Sequence, residues 1–113
     1  MARPARGEVW FVDLNPVRGH EQAGRRPALV ISVDGFNRGP ADLVVVLPVT
    51  SREKGIPFHV EISPPEGGVR AHSFVKCEDV RSVATERLRS RLGAVSPQTM
   101  EAVEDRLRIL LGL

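Results

Sequence analysis

Two adjacent arginines, Arg25 and Arg26, close a polar stretch that begins at Asn15 and also carries Arg18, His20, Glu21 and Gln22. A guanidinium presents a planar fork of donors matched to phosphate or carboxylate oxygens. Cations gathered at the end of a loop, just before an apolar run, therefore point to anion handling. Further along, Thr50 follows the apolar run Leu43–Val49 and puts a compact hydroxyl at the end of a strand. Of this set, His20 has the ordinary pKa best suited to proton transfer near neutrality. An arginine stays charged at such pH values and accepts protons poorly. Taken singly, these residues also have plainer roles: Arg26 as a surface ion pair with Glu21, Thr50 as a β-branched strand end, His20 as a loop histidine.

Other chemistries lack their residues. His20, His59, His72 and Cys77 show no metal-ligand spacing, and Glu78-Asp79 is an isolated acidic pair. No glycine-rich phosphate loop follows a strand and opens a helix, so neither a metal nor a nucleotide cofactor is expected. The single cysteine, Cys77, cannot build an internal disulfide framework; it reads as a small core hydrophobe and suits a reducing cytoplasm. No apolar run approaches the roughly 18 residues that span a bilayer, and Met1–Arg6 has no apolar signal core; neither a membrane span nor secretion is expected. The net charge of +2 decides little, but of 16 basic residues only Lys54 and Lys76 are lysines. A GC-rich codon bias would account for that total; it would not account for Arg18, Arg25 and Arg26 crowding one loop.

The elements that must position these groups are mostly strands. At 113 residues, positions 1–113 form one domain, with Met1–Arg6 as a loose basic lead-in. Glu8–Leu14 alternates imperfectly, with Trp10 and Phe11 on opposite faces, and Ala28–Val33 is a short run rich in branched residues. Leu43–Val49 is nearly continuous in apolar residues, as a buried central strand is, with Pro48 tolerable at an edge or terminal position. Asp34–Ala41 and Ser51–Pro57 read as loops. Phe58–Ile62 alternates, Ser63–Gly68 is a turn cluster, and Ser73–Val83 reads as one strand bent near Glu78-Asp79. Thr85–Arg89 fits one helical turn and Leu92–Val95 a short strand. Ser96 and Pro97 open a C-terminal helix. Met100, Val103, Leu107 and Leu111 share one of its faces, and Gly112 caps it. Short strands followed by one helix make a mainly β domain, a curved sheet or small barrel packed by a terminal α-helix.

The ordered series Gly7, Glu8, Trp10, Asp13, Leu14, Pro16, Gly19, Glu21, Gln22, Arg26 and Pro27, continued by Pro48-Val49-Thr50-Ser51 and Leu107–Leu113, resembles the MazF/PemK family of toxin endoribonucleases over nearly the whole chain. The resemblance implies the SH3-like small barrel of the MazF/PemK/CcdB type. It implies a sequence-selective, metal-independent endoribonuclease that cuts single-stranded RNA, mRNA in particular, to 2′,3′-cyclic phosphate and 5′-OH products. Such an enzyme is the toxin of a toxin–antitoxin pair, inhibiting translation and growth. It also implies a homodimer whose acidic, partly disordered antitoxin wraps the RNA-binding face.

In that family the arginine of the Arg-Pro step and the threonine of this strand end are the catalytic pair, which map onto Arg26 and Thr50. His20, where relatives often carry Ser, takes a secondary acid–base role, and Glu21 orients Arg26 or accepts a proton. Arg18, Gln22, Arg25, Asn37, Arg52, Lys54, Asp79 and Arg81 are candidates for RNA contacts, with Phe36 as a stacking ring. At Asp79 the chain departs from the glutamine common in relatives, so the target sequence does not transfer with the resemblance. Two other readings stand beside this one. A CcdB-like gyrase poison acts through a tryptophan near its C-terminus, whereas Trp10 is the only tryptophan here. A small β-barrel RNA- or protein-binding module would need no catalysis.

Overall fold

The computed structural model describes residues 3–14 and 24–113. In chain order the elements are β1 (Glu8–Asp13), β2 (Arg25–Val30), α1 (Asp34–Asn37), β3 (Leu43–Thr50), β4 (His59–Ile62), β5 (Ser73–Lys76), β6 (Arg81–Ala84), β7 (Leu88–Ala94) and α2 (Pro97–Leu111). Single 3₁₀ turns lie at Glu66–Gly68 and Thr85–Arg87. Every pairing is antiparallel. The strands run β4-β5-β3-β2-β1-β7, and β6 joins the other half of β3. This is the mainly β architecture with a C-terminal helix that the pattern predicts.

β3 organises the sheet because it serves three partners. One edge pairs with β2 through Ala28↔Pro48, Leu29↔Leu47 and Val30↔Val46. Along the other edge Leu43–Val46 meets β6, and Val49 and Thr50 meet Val75 and Phe74 of β5. The expected single strand over Ser73–Val83 is thus two segments along the same edge of β3. Between the pairs Val49↔Val75 and Val46↔Arg81, two residues of β3 face five of the other strand, Lys76–Val80. The extra residues bulge out of the ladder through a turn in which the Asp79 N–H donates to the Lys76 carbonyl at 3.1 Å. Pro48 lies opposite this bulge, not at an edge or end as expected. Its missing N–H falls where the ladder has no partner on that side.

Strand alternation divides the buried residues into two clusters. Val9, Leu29, Leu47, Val49, Val75 and Cys77 pack on one side, where α2 adds Val103 with Met100 and Leu107. Trp10, Val12, Ala28, Val30, Val44 and Val46 pack on the other. A strand buried on both sides must be apolar at every position, which is why β3 reads as an unbroken run. Ser96 caps α2 by accepting the Thr99 N–H at 3.1 Å, and Gly112, at φ 72°, ends the helix. Leu111 is an exception to the predicted apolar face. It is 55% exposed, one turn beyond Leu107, the last helical residue packed on the core.

The supposed lead-in is anchored: Pro4 is buried, and Arg6 bonds the Ile31 carbonyl and pairs with Glu104 of α2 at 2.5 Å. Asp34–Ala41 holds the short helix α1, fixed from within by buried Asn37. Its amide donates to the Ser32 carbonyl at 3.0 Å and accepts from the Ser32 hydroxyl.

Candidate active site

β2 begins at Arg25, so Arg25 and Arg26 stand in the first rungs of a strand, opposite Asp13 and Val12 of β1. By alternation Arg26 shares its side of the sheet with Val12, while Pro27 shares the other side with Phe11. Thr50 ends β3 opposite Phe74, and Lys76 is two residues on from Phe74 along β5, hence on the same side as Phe74. The ends of β2, β3 and β5 thereby collect Arg26, Thr50 and Lys76 around one cavity of about 240 Å³, completed by Ser51, Arg52 and Lys54. Among the described residues its lining is four cations and two hydroxyl groups, with no carboxylate. Such a cavity is built for an anion.

Each group is held. Thr50 is 8% exposed, and its Oγ1 accepts the Arg52 N–H at 3.2 Å, which fixes the oxygen and leaves the hydroxyl proton able to donate. The Lys76 ammonium lies 3.6 Å from Asp79 Oδ2, and Asp79 in turn takes both Nη2 (2.7 Å) and Nε (3.3 Å) of Arg81. Asp79 thus sits between two cations inside the bulge. Its side chain is 11% exposed and its carboxylate faces both Lys76 and Arg81. The neighbouring Cys77 thiol is pushed up to about 12, first by burial and then by the Glu78 carboxylate, so it stays protonated as a core residue. Glu78 itself pairs with the nearly buried His59 at 2.8 Å. Among the described residues no group of three or more His, Cys, Asp or Glu is placed to hold a metal ion. Nor is any helix there long and apolar enough to cross a membrane.

A second cleft, of about 480 Å³, opens from the same strand ends. It shares Arg26, Thr50 and Ser51 with the cation-lined cavity, but its remaining walls include Phe11, Pro27, Val69 and Leu92. One wall rests on a backbone-to-backbone contact. A Cβ on Gly68, at φ 71°, would lie 2.1 Å from the Leu92 carbonyl oxygen, and one on Gly93 would lie 2.7 Å from the Gly68 amide nitrogen. Only glycines permit this approach, and it sets the segment Val69–Ala71 over the cleft.

Of the residues expected to work together, the structure brings Arg26, Thr50, Arg52 and Lys54 to one cavity. Arg18, His20, Glu21 and Gln22 lie outside the described residues. Arg25 is exposed beside the site; Phe36, on α1 and 38% exposed, lines neither cleft. Asn37 is buried in its own hydrogen bonds, and Arg81 is engaged by Asp79. Sequence reasoning did not single out Lys76, which lines the cavity, and took Phe11, which lines the second cleft, only as the residue facing away from Trp10. The signal for Lys76 was a lysine ending the otherwise apolar stretch Phe74-Val75; the signal for Phe11 was its alternation with core-facing Trp10.

The family model described as PemK-like, MazF-like toxin of type II toxin–antitoxin system matches residues 5–111. The endoribonuclease MazF9 of Mycobacterium tuberculosis is 39% identical over 113 residues, covering 96% of either chain. The crystal structure of MazF from Deinococcus radiodurans superposes with a TM-score of 0.87 at 34% identity over the whole of both chains. A mycobacterial endoribonuclease in complex with its cognate antitoxin superposes with a TM-score of 0.82 at 28% identity, covering 97% of this chain and 96% of that one.

Proposed function

Because the chain belongs to the PemK-like, MazF-like toxins of type II toxin–antitoxin systems, we propose that this endoribonuclease cuts single-stranded RNA without a metal at the cavity shared by Arg26 and Thr50. The observation that carries the reading is the convergence of those two residues with Lys76, Arg52 and Lys54 on one anion-sized cavity. In the proposed reaction the ribose 2′-oxygen attacks phosphorus, the bond to the 5′-oxygen breaks, and a 2′,3′-cyclic phosphate and a 5′-OH result. The attacking hydroxyl loses a proton and the leaving oxygen gains one. Negative charge builds on the phosphorane between these events, and preorganised cations are worth most there. Arg26 gives two directed donors to the phosphoryl oxygens, Lys76 a compact positive charge, and Thr50 a hydroxyl donor held from behind by the Arg52 amide. His20 is the candidate acid–base group and Glu21 the candidate to orient Arg26 or accept a proton, as the family resemblance implies.

The biological reading follows from the chemistry. A single-strand ribonuclease that reads short sequences cuts mRNA in the cytoplasm and stops translation and growth. A homodimer presents two such cavities, and an acidic antitoxin segment neutralises them by covering the cations. Labelled RNA incubated with the purified protein in EDTA tests the enzymology. Continued cleavage, with DNA spared for want of a 2′-OH, is the expected result. Loss of cleavage in EDTA with recovery in Mg²⁺ would overturn the mechanism.

A further inference from the structure

We infer that His59, which lines neither cleft, is a positioning residue: its ring pins the turn after β5 through Glu78 and so holds Lys76 in the cation-lined cavity. The inference rests on the reading of that cavity as the place where RNA is cut. It extends that reading to a residue outside the cavity.

The ladder shows why Lys76 needs holding. β3 pairs with β5 at Val49↔Val75 and Thr50↔Phe74. The next residue of β3 in that direction is Pro48, which has no N–H to offer Lys76. Lys76 pairs instead with His59 of β4. An ammonium at the last rung of a strand, on a long flexible stem, keeps one place only where its surroundings fix it. Asp79 supplies a side-chain partner at 3.6 Å. Asp79 itself hangs from the turn Lys76–Val80, closed by the bond from its N–H to the Lys76 carbonyl. Whatever fixes that turn therefore fixes the ammonium.

His59 is placed to do so. Its Nε2 lies 2.8 Å from Glu78 Oε2 and, because a carboxylate offers only acceptors, donates to it. The histidine side chain is 3% exposed. Its ring lies against Phe74, centroids 6.3 Å apart, and Phe74 is the cross-strand neighbour of Thr50. One ring thus braces the turn that carries Asp79 and the neighbour of the Thr50 hydroxyl. The pair is a demanding one to bury. His59 Nδ1 and Glu78 Oε1 are both buried with no hydrogen-bond partner among the described residues. Native proteins leave few polar atoms in that condition, and each one calls for a reason. An apolar side chain would fill the space without that cost. What the histidine adds is the donor aimed at Glu78.

The experiment is a double-mutant cycle read by single-turnover cleavage of a short RNA with the full-length protein. His59→Leu removes the donor, His59→Gln offers another, and Lys76→Met removes the charge. Thermal melts set an assay temperature at which every variant is folded. His59→Leu is expected to slow cleavage by about tenfold, as a small misplacement of a working group does, and His59→Gln to recover part of the rate. Lys76→Met should itself slow cleavage by about tenfold or more. In that background His59→Leu should cost less than about twofold, because the cation it positions is gone. In a Thr50→Ser background it should cost the same factor as in wild type. If His59→Leu does not fold, Glu78→Ala takes its place in the cycle with the same expectations. Equal slowing by His59→Leu with and without the Lys76 charge would reveal a merely structural role and overturn the proposal. So would a full rate in His59→Leu or in Lys76→Met, or a His59→Gln variant as slow as His59→Leu. Cleavage by wild type and its loss in Arg26→Ala, measured alongside, keep failure of this link distinct from failure of the nuclease reading.

Discussion

The side chains of the site divide by what each one's loss should remove. Arg26 is exposed and Thr50 is buried, so their substitutions report different balances. Arg26→Ala should abolish most cleavage while moving stability by no more than about 0.5 kcal/mol, as surface changes usually do. Thr50→Val keeps the shape, removes the hydroxyl and strips the Arg52 amide of its acceptor; a comparable loss of cleavage with about 1 kcal/mol of destabilisation is expected. Thr50→Ser should retain much of the activity. His20→Ala should cost less than either, and a dead His20→Ala beside an active Arg26→Ala would reverse the assigned roles. Asp79→Asn should both destabilise, by about 2 kcal/mol through weakened charged hydrogen bonds to Arg81, and slow cleavage through a misplaced Lys76. Chemical denaturation and single-turnover cleavage read the two effects separately. Arg26 and Thr50 were legible through the family resemblance, since residue type alone left both with plainer roles. Lys76 was not, because its approach to Thr50 depends on the pairing of β5 with β3, which a local pattern does not record.

Among the elements, the turn Glu66–Gly68 joins the site to the terminal helix. The Glu66 carboxylate accepts the Ser96 N–H at 2.9 Å and the Thr99 hydroxyl at the start of α2. Burial alone would push Glu66 up; the donors of Thr99 and Ser96 outweigh it and hold the carboxyl below its ordinary 4.5. A depressed folded value means the contribution is complete above the unfolded pKa near 4.5 and is lost as pH falls through the lower, folded one. Glu66→Gln should therefore be less stable than wild type near pH 7, and the difference should shrink as acid titrates the wild-type carboxylate. Denaturation midpoints from pH 7 to pH 3 measure this. Gly93→Ala should damage the cleft wall more than any nearby surface change, since its Cβ meets backbone at 2.7 Å. Strands β3 and β4 and helix α2 were readable from apolar runs, alternation and caps. The start of β2 at Arg25 and the extent of β7 were not, because both depend on pairing with β1 instead of on their own residues.

At the scale of the molecule, one curved sheet turns three separate sequence segments into a single cationic rim. An acidic antitoxin segment laid on that rim would occupy the place of the RNA phosphates. Antitoxin and uncleavable RNA should therefore exclude each other, and both should bind more weakly as salt rises; a stable ternary complex at saturating antitoxin would place inhibition elsewhere. The central claim is narrower than regulation. It is that cleavage runs through the ribose 2′-oxygen at the Arg26–Thr50 cavity. The most direct measurement is mass analysis of the products from a short RNA cut in EDTA, beside the same RNA with a single 2′-deoxy residue at the cut. The account predicts a 2′,3′-cyclic phosphate and a 5′-OH from the first and no cleavage of the second. A 5′-phosphate product, or cutting at the 2′-deoxy residue, would contradict it.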